Sequence, residues 1–191
     1  MNDRAHPLSM LYMYLTEGCN LACKHCWLSP PLENGPLKFP VMKLDDFKQV
    51  VTEARVEGLE TVKLTGGEPL MNPEVVEMIN FVADQQLGLL IETNGTLITE
   101  EIVEAVKSIQ RSQISLSLDS TKAHIHDKIR SFPGAFQQTV DNIKLLVKNG
   151  IAPQVITSLL SENKDEIEEI IVFSEELGAD SFKLNIVQPT E

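Results

Sequence analysis

The chain has 191 residues, 42% of them hydrophobic, enough for about one domain with a sizeable core and too many for a disordered chain. A formal net charge of −12, from 28 acidic and 16 basic residues, leaves no basic stripe to neutralise a phosphate backbone, so nucleic acid is not an expected partner. No apolar run reaches the roughly 18 residues of a membrane span, and the first residues lack a cleavable signal pattern, which makes a cytoplasmic protein off the membrane the expectation.

Met10–Thr16 is a short, mostly apolar run and reads as a buried strand. It delivers the chain into Cys19-Asn20-Leu21-Ala22-Cys23-Lys24-His25-Cys26, a stretch that holds all three cysteines. Thiols this close suit a metal centre in a reducing compartment better than a disulfide framework. An iron–sulfur cube has four irons, each needing a thiolate or a substitute, so three cysteines leave one iron open to a non-protein ligand. Structural zinc is the rival reading. It needs further ligands, and only His124 or His126 is on offer, neither at a usual spacing. Trp27, directly after the last cysteine, shields the metal centre or a flat base, or simply packs.

Ser29 to Pro40 carries Pro and Gly without a period and reads as a loop. Leu44, Phe47, Val51 and Ala54 then mark a helix capped by Asp45 and ended by Gly58. Thr61–Thr65 is a second strand that runs into Gly66-Gly67-Glu68-Pro69, where glycine permits close backbone approach and Glu68 could accept a hydrogen bond from an ammonium. Asn72-Pro73-Glu74 opens a helix through Val75, Ile79 and Val82. Leu87–Glu92 is a third strand leading to Thr93-Asn94-Gly95, and Thr99 caps a third helix to about Ile109.

Gln113–Asp119 alternates, with Ile114, Leu116 and Leu118 on one face and Ser115, Ser117 and Asp119 on the other. The apolar face should lie under helices and the polar face should line an interior that is not dry. His126, Asp127 and Arg130 fall on a helical turn, as a surface ion pair or with Arg130 reaching a carboxylate. A helix near Phe136–Lys148, a strand near Pro153–Thr157, a helix capped by the pair Asn163 and Glu166, and a strand Ser181–Val187 complete the chain. On the last strand Lys183 and Asn185 share the polar face, where they could line the interior near a substrate.

This alternation of six strands with five helices predicts an α/β fold with a parallel sheet, either doubly wound or an incomplete barrel. In both, ligands bind at the carboxyl ends of the strands, and every unusual motif falls on that rim. No helix follows the last strand, so a C-terminal helix and any extension are expected to be absent from this chain.

Cys19-x3-Cys23-x2-Cys26 followed by an aromatic residue, with Gly-Gly-Glu-Pro after the next strand, resembles the radical S-adenosylmethionine (SAM) superfamily. The resemblance continues through Thr93-Asn94-Gly95, Ser117-Leu118-Asp119 and His126-Asp127-x-x-Arg130, across nearly the whole chain. It implies a partial (β/α)6 barrel over 1–191, with a [4Fe–4S] cluster on Cys19, Cys23 and Cys26 and SAM on the fourth iron. It further implies that Gly66, Gly67 and Glu68, in the turn closed by Pro69, meet the SAM amino group, Ser117 the ribose and Arg130 the carboxylate. Asn94 and Thr157 complete the implied cofactor-binding set, Thr157 near the adenine.

The implied chemistry is reductive cleavage of SAM, with an electron from an external donor, to methionine and a 5′-deoxyadenosyl radical that takes hydrogen from a substrate. Within the superfamily the chain is similar to two groups. One is the enzymes with a SPASM or twitch extension, which often modify peptides or proteins, and the run Val187-Gln188-Pro189-Thr190 leans to it. The other is the molybdenum-cofactor cyclase, which acts on a small molecule. Both carry extra cysteines for auxiliary clusters, and this chain has none beyond its loop. A non-catalytic iron–sulfur or SAM-binding module is the alternative outside enzymes, disfavoured because an electron carrier needs neither Gly-Gly-Glu-Pro nor an inward serine strand.

Overall fold

A computed structural model describes residues 8–28 and 39–187. Most of the loop expected at 29–40 and the run after Val187 lie outside the described residues.

Among the described residues six strands form one sheet: β1 (Met10–Tyr14), β2 (Thr61–Thr65), β3 (Gly88–Thr93), β4 (Ser112–Ser117), β5 (Gln154–Leu159) and β6 (Ser181–Ile186). Their spatial order is β1-β2-β3-β4-β5-β6, every neighbouring pair parallel. The helices are α1 (Leu44–Val56), α2 (Val75–Asp84), α3 (Glu100–Lys107), α4 (Ala123–Arg130), α5 (Ala135–Lys148) and α6 (Ile167–Glu176), with a 3-10 turn at Pro69–Met71.

The strand order decides between the two architectures. A doubly wound sheet reverses its order part-way and places helices on both faces. Here the order never reverses, so right-handed crossovers carry every helix to the same face. The other face is left to close on itself as a partial barrel. Lys183 on β6 lies 3.5 Å from Glu92 on β3, although the two strands stand three spacings apart, roughly 14 Å on a flat sheet. The sheet is therefore strongly curled.

The helix-covered face holds the core. Val62, Leu64, Leu89, Ile91, Ile114, Leu116 and Val155 are fully buried there and pack on Phe47, Val51, Met78, Ile79, Val82, Val106 and Ile143 from the helices. Each buried Leu, Ile or Phe contributes about 1.5–3 kcal/mol by leaving water. Ile114, Leu116 and Leu118 sit on this face, as their alternation predicts.

Several local expectations are corrected. The segment His126–Arg130 belongs to a full helix, α4, so two helices lie between β4 and β5 and the described residues hold six α-helices rather than five. Asp45 does not cap α1. It lies in the first turn, and the first amide, that of Leu44, donates to Glu74 Oε2 from the start of α2. Thr99 does cap α3, accepting from the Ile102 N–H. Asn163 and Glu166 form no capping box. The Asn163 amide donates to the carbonyls of Asp119 and Ser158, and Glu166 accepts from the Ser120 hydroxyl and the Lys122 ammonium. Long-range polar partners captured both residues. No helix among the described residues is long and apolar enough to cross a membrane.

Candidate functional site

All three cysteines line one cavity at the carboxyl ends of the strands, together with Gly66, Gly67, Asn94, Ser117 and Arg130. The loop that carries them is fastened from four directions. The Gly67 and Glu68 amides donate to the carbonyls of Thr16 and Gly18 at 2.9 Å. The Asn94 side chain donates to Asn20 Oδ1 at 2.8 Å, and the Asn20 side chain to the Thr96 hydroxyl at 2.9 Å. The Lys24 amide donates to the Ile129 carbonyl of α4 at 3.0 Å. At the rim, the Lys24 ammonium meets Glu162 at 3.0 Å.

The Gly-Gly pair has a specific steric reason. A Cβ on Gly67 would lie 2.1 Å from the Gly18 carbonyl oxygen, and one on Gly66, whose φ is +133°, 2.5 Å from that of Thr16. The backbone leaving β2 is pressed against the backbone entering the cysteine loop, and only glycine fits. The close approach expected here is thus, on one side, with the chain itself.

Glu68 is fully buried. Its carboxylate accepts from the Thr93 hydroxyl at 2.7 Å, the Asn94 amide at 2.8 Å and the Leu70 amide at 3.1 Å. Burial pushes its pKa up, and these hydrogen bonds oppose the shift. The side chain therefore ties the ends of β2 and β3 together, with three donors of the chain already on its carboxylate. Pro69 is buried and Thr157 is fully buried, its hydroxyl donating to the Leu118 carbonyl at 2.5 Å. Neither lines the cavity. The β5 residues that do are Ile156 and Ser158, on either side of Thr157, because strand side chains alternate.

Arg130 is the cation of the site. Its Nε donates to Asp119 Oδ2 at 2.6 Å, with both side chains buried, and its Nη1 approaches Cys23 Sγ at 3.7 Å. Burial disfavours its charge, but Asp119 and the Cys23 sulfur more than offset that and hold its pKa above the usual value. The expected surface pairing with Asp127 does not occur. Asp127 caps α5, accepting from the Gly134 amide at 2.6 Å and the Phe136 amide at 2.8 Å. His126 is fully buried and accepts the Asp119 amide on Nδ1 at 3.1 Å, so it is a core histidine fixing the end of β4.

The donor set suits an iron–sulfur cluster. Burial raises the Cys19 pKa to about 12 and also raises that of Cys23, the latter opposed by Arg130. Such thiols stay protonated at neutral pH until a metal takes the proton's place. Donors already point at the sulfurs: the Leu21 amide and Asn94 side chain at Cys19, and Arg130 at Cys23.

Two lining residues, His25 and Glu92, escaped the sequence reading. His25 lines the cavity half-buried, and burial followed by the Arg130 charge lowers its pKa. Its signal was an aromatic ring between two cysteines of the loop. Glu92 also lines the cavity, although it read only as a strand end. Asp119 read as an inward polar residue, but its pairing with Arg130 joins positions 11 residues apart that no local period relates.

The family model described as Radical SAM superfamily matches residues 13–173. The chain is a member of the radical SAM superfamily. Radical SAM proteins bind a [4Fe–4S] cluster and SAM, and the superfamily relatives of this chain are enzymes. An AdoMet-dependent heme synthase of Methanosarcina barkeri is 34% identical over 176 residues, 92% of this chain and 50% of the relative. The subtilosin biosynthesis protein AlbA of Bacillus subtilis is 34% identical over 187 residues, 97% of this chain and 41% of the relative. Streptococcus suis SuiB, solved with S-adenosylmethionine, superposes with a TM-score of 0.83 at 19% identity, over 97% of this chain and 42% of SuiB. At that identity the likeness is one of fold. This radical SAM chain spans about half the length of the curated relatives it matches.

Proposed function

We propose that the chain is the radical SAM core, residues 1–191, of an enzyme that works in a reducing cytoplasm, takes electrons from an external donor and acts on a peptide or protein. The observation that carries this reading is the single cavity shared by the three cysteines, Gly66, Gly67, Ser117 and Arg130. Cys19, Cys23 and Cys26 hold the cluster. Gly66 and Gly67 present the main chain to the SAM amino group, Ser117 meets the ribose, and Arg130 turns to the carboxylate, its Nε anchored by Asp119. Asn94 stands beside Cys19 and steadies the loop. The cluster and SAM supply one-electron chemistry that ends in hydrogen abstraction from a substrate carbon. The chain's part is orientation and exclusion of water.

AlbA, named for bacteriocin biosynthesis, supports a peptide substrate. The heme synthase, equally similar, supports a second reading with a small-molecule substrate. The deciding experiment is anaerobic. The purified chain is reconstituted with iron and sulfide, then given SAM and a strong reductant, and 5′-deoxyadenosine is measured by chromatography. Product from the wild type and none from a variant with all three cysteines changed to Ala supports the proposal. Equal product from both sinks it, as does a wild type that loads iron and sulfide yet neither cleaves nor binds SAM.

A further inference from the structure

Below the cavity, three charged side chains meet across the interior. Lys63 Nζ of β2 lies 2.7 Å from Glu92 Oε1 of β3, and Lys183 Nζ of β6 lies 3.5 Å from the same oxygen. Two ammoniums share one carboxylate, which leaves one positive charge unmatched within the trio.

The two lysines are not equivalent. The Lys63 side chain is 13% exposed and its ammonium stands 4.9 Å from the Tyr12 ring centroid, within reach of the ring face. The Lys183 side chain is 45% exposed, and its distance to Glu92 is longer than a usual hydrogen bond. Glu92 and Asn185 line the cavity, and Lys183 is two residues before Asn185 on the same face of β6. Lys183 is therefore the partly satisfied member, one pleat beneath the space above the cysteines.

We propose, resting on the reading of this cavity as a radical SAM site, that Lys183 anchors a carboxylate of the substrate, with Glu92 and Lys63 fixing where it stands. A substrate seated here strips water from Lys183. A desolvated ammonium needs an anion close by, and Glu92 is already divided between two cations. The same sharing argues against a substrate ammonium, which would be a third cation on one carboxylate. A free carboxylate and an acidic peptide side chain offer the same chemistry.

The test is lysine footprinting by mass spectrometry on the cluster-loaded chain with SAM, using brief acetylation. Glutarate is expected to slow acetylation of Lys183, glutaramide is not, and Lys107 on α3 stays unchanged as the control. A peptide with one Glu side chain, against its Gln counterpart, separates the sources. Protection by the Glu peptide points to a peptide substrate, and protection by glutarate alone to a small one. Calorimetric titration with glutarate should find Glu92→Gln tighter than wild type and Lys183→Gln weaker, each by about fivefold. A trio that is only structural lowers stability in both variants and gives no gain for Glu92→Gln. Equal protection by glutaramide, no protection by either carboxylate, or a Lys183 already unreactive without ligand overturns the proposal. SAM binding is followed separately through the cluster's absorption. Response to SAM without Lys183 protection sinks the anchor alone, whereas protection without any response to SAM keeps the anchor and sinks the functional reading.

Discussion

Asp119, just past the end of β4, makes four hydrogen bonds, one of them from its own amide to His126 Nδ1. Oδ2 accepts from Arg130 at 2.6 Å, Oδ1 from the Ser158 amide at 2.9 Å, and its carbonyl from Asn163 at 2.8 Å. One buried carboxylate thus aims the site's cation and joins β4 to the end of β5. Asp119→Asn keeps the shape but leaves Arg130 buried without its counter-charge. Breaking such a pair costs about 3–5 kcal/mol, which urea denaturation of the variant should show. Arg130→Ala removes the cation itself and should weaken SAM binding by about 1.5–3 kcal/mol in calorimetry, the worth of a charged hydrogen bond. Unchanged affinity would take Arg130 out of the SAM site.

Among the elements, the seam between the exits of β1 and β2 and the packing of α4 on the end of β4 hold the loop in place. At the seam, Gly67→Ala drives a Cβ into the Gly18 carbonyl 2.1 Å away, and that carbonyl belongs to the residue before Cys19. Overpacking of this kind costs about 1–3 kcal/mol, so the variant should denature earlier and load less iron per chain than wild type. A variant with full iron and wild-type stability would mean the seam gives way freely. On α4, His126 is buried and neutral, its Nδ1 taking the Asp119 amide and its ring edge-on to Phe136 at 5.9 Å. Burial, then the Arg130 charge, depress its pKa to about 4, with Asp119 and Asp127 opposing. The unfolded chain, with its ordinary value near 6.5, binds the proton first as pH falls. The contribution is fully present above about pH 6.5, is lost as pH falls toward 4, and amounts to about 3 kcal/mol. His126→Gln, which keeps an acceptor but cannot titrate, should flatten the stability profile across that window. An unchanged profile would mean that other groups set it.

For the molecule as a whole, the sheet gathers four strand exits around one loop, and this explains what the sequence could and could not reveal. The strands and helices were legible because Ile114-x-Leu116-x-Leu118 and Phe47, Val51 and Ala54 repeat at the two elementary periods. The cysteine loop and Gly66-Gly67 were legible because their chemistry is local. The partners of Glu68, Asp119 and Asn163 were not, since each bond joins residues 26, 39 or 44 positions apart that only the curled sheet brings together. The bond of the Thr157 hydroxyl to the Leu118 carbonyl, 39 positions away, was equally out of reach. The same convergence makes the cluster a structural element. The cysteines proposed as its ligands lie on a loop held by contacts to β2, the β3 exit, α4 and the segment after β5, so a group that binds only this arrangement stabilises the entire fold. Anaerobic reconstitution should therefore raise the denaturation midpoint of wild type in one cooperative step, and iron chelation should return it to the apo value. The triple Cys→Ala variant should keep the apo midpoint under both treatments. A cluster that loads fully without moving the wild-type midpoint would show that the loop's attachments carry no load in the fold, and that the rim is built independently of its metal.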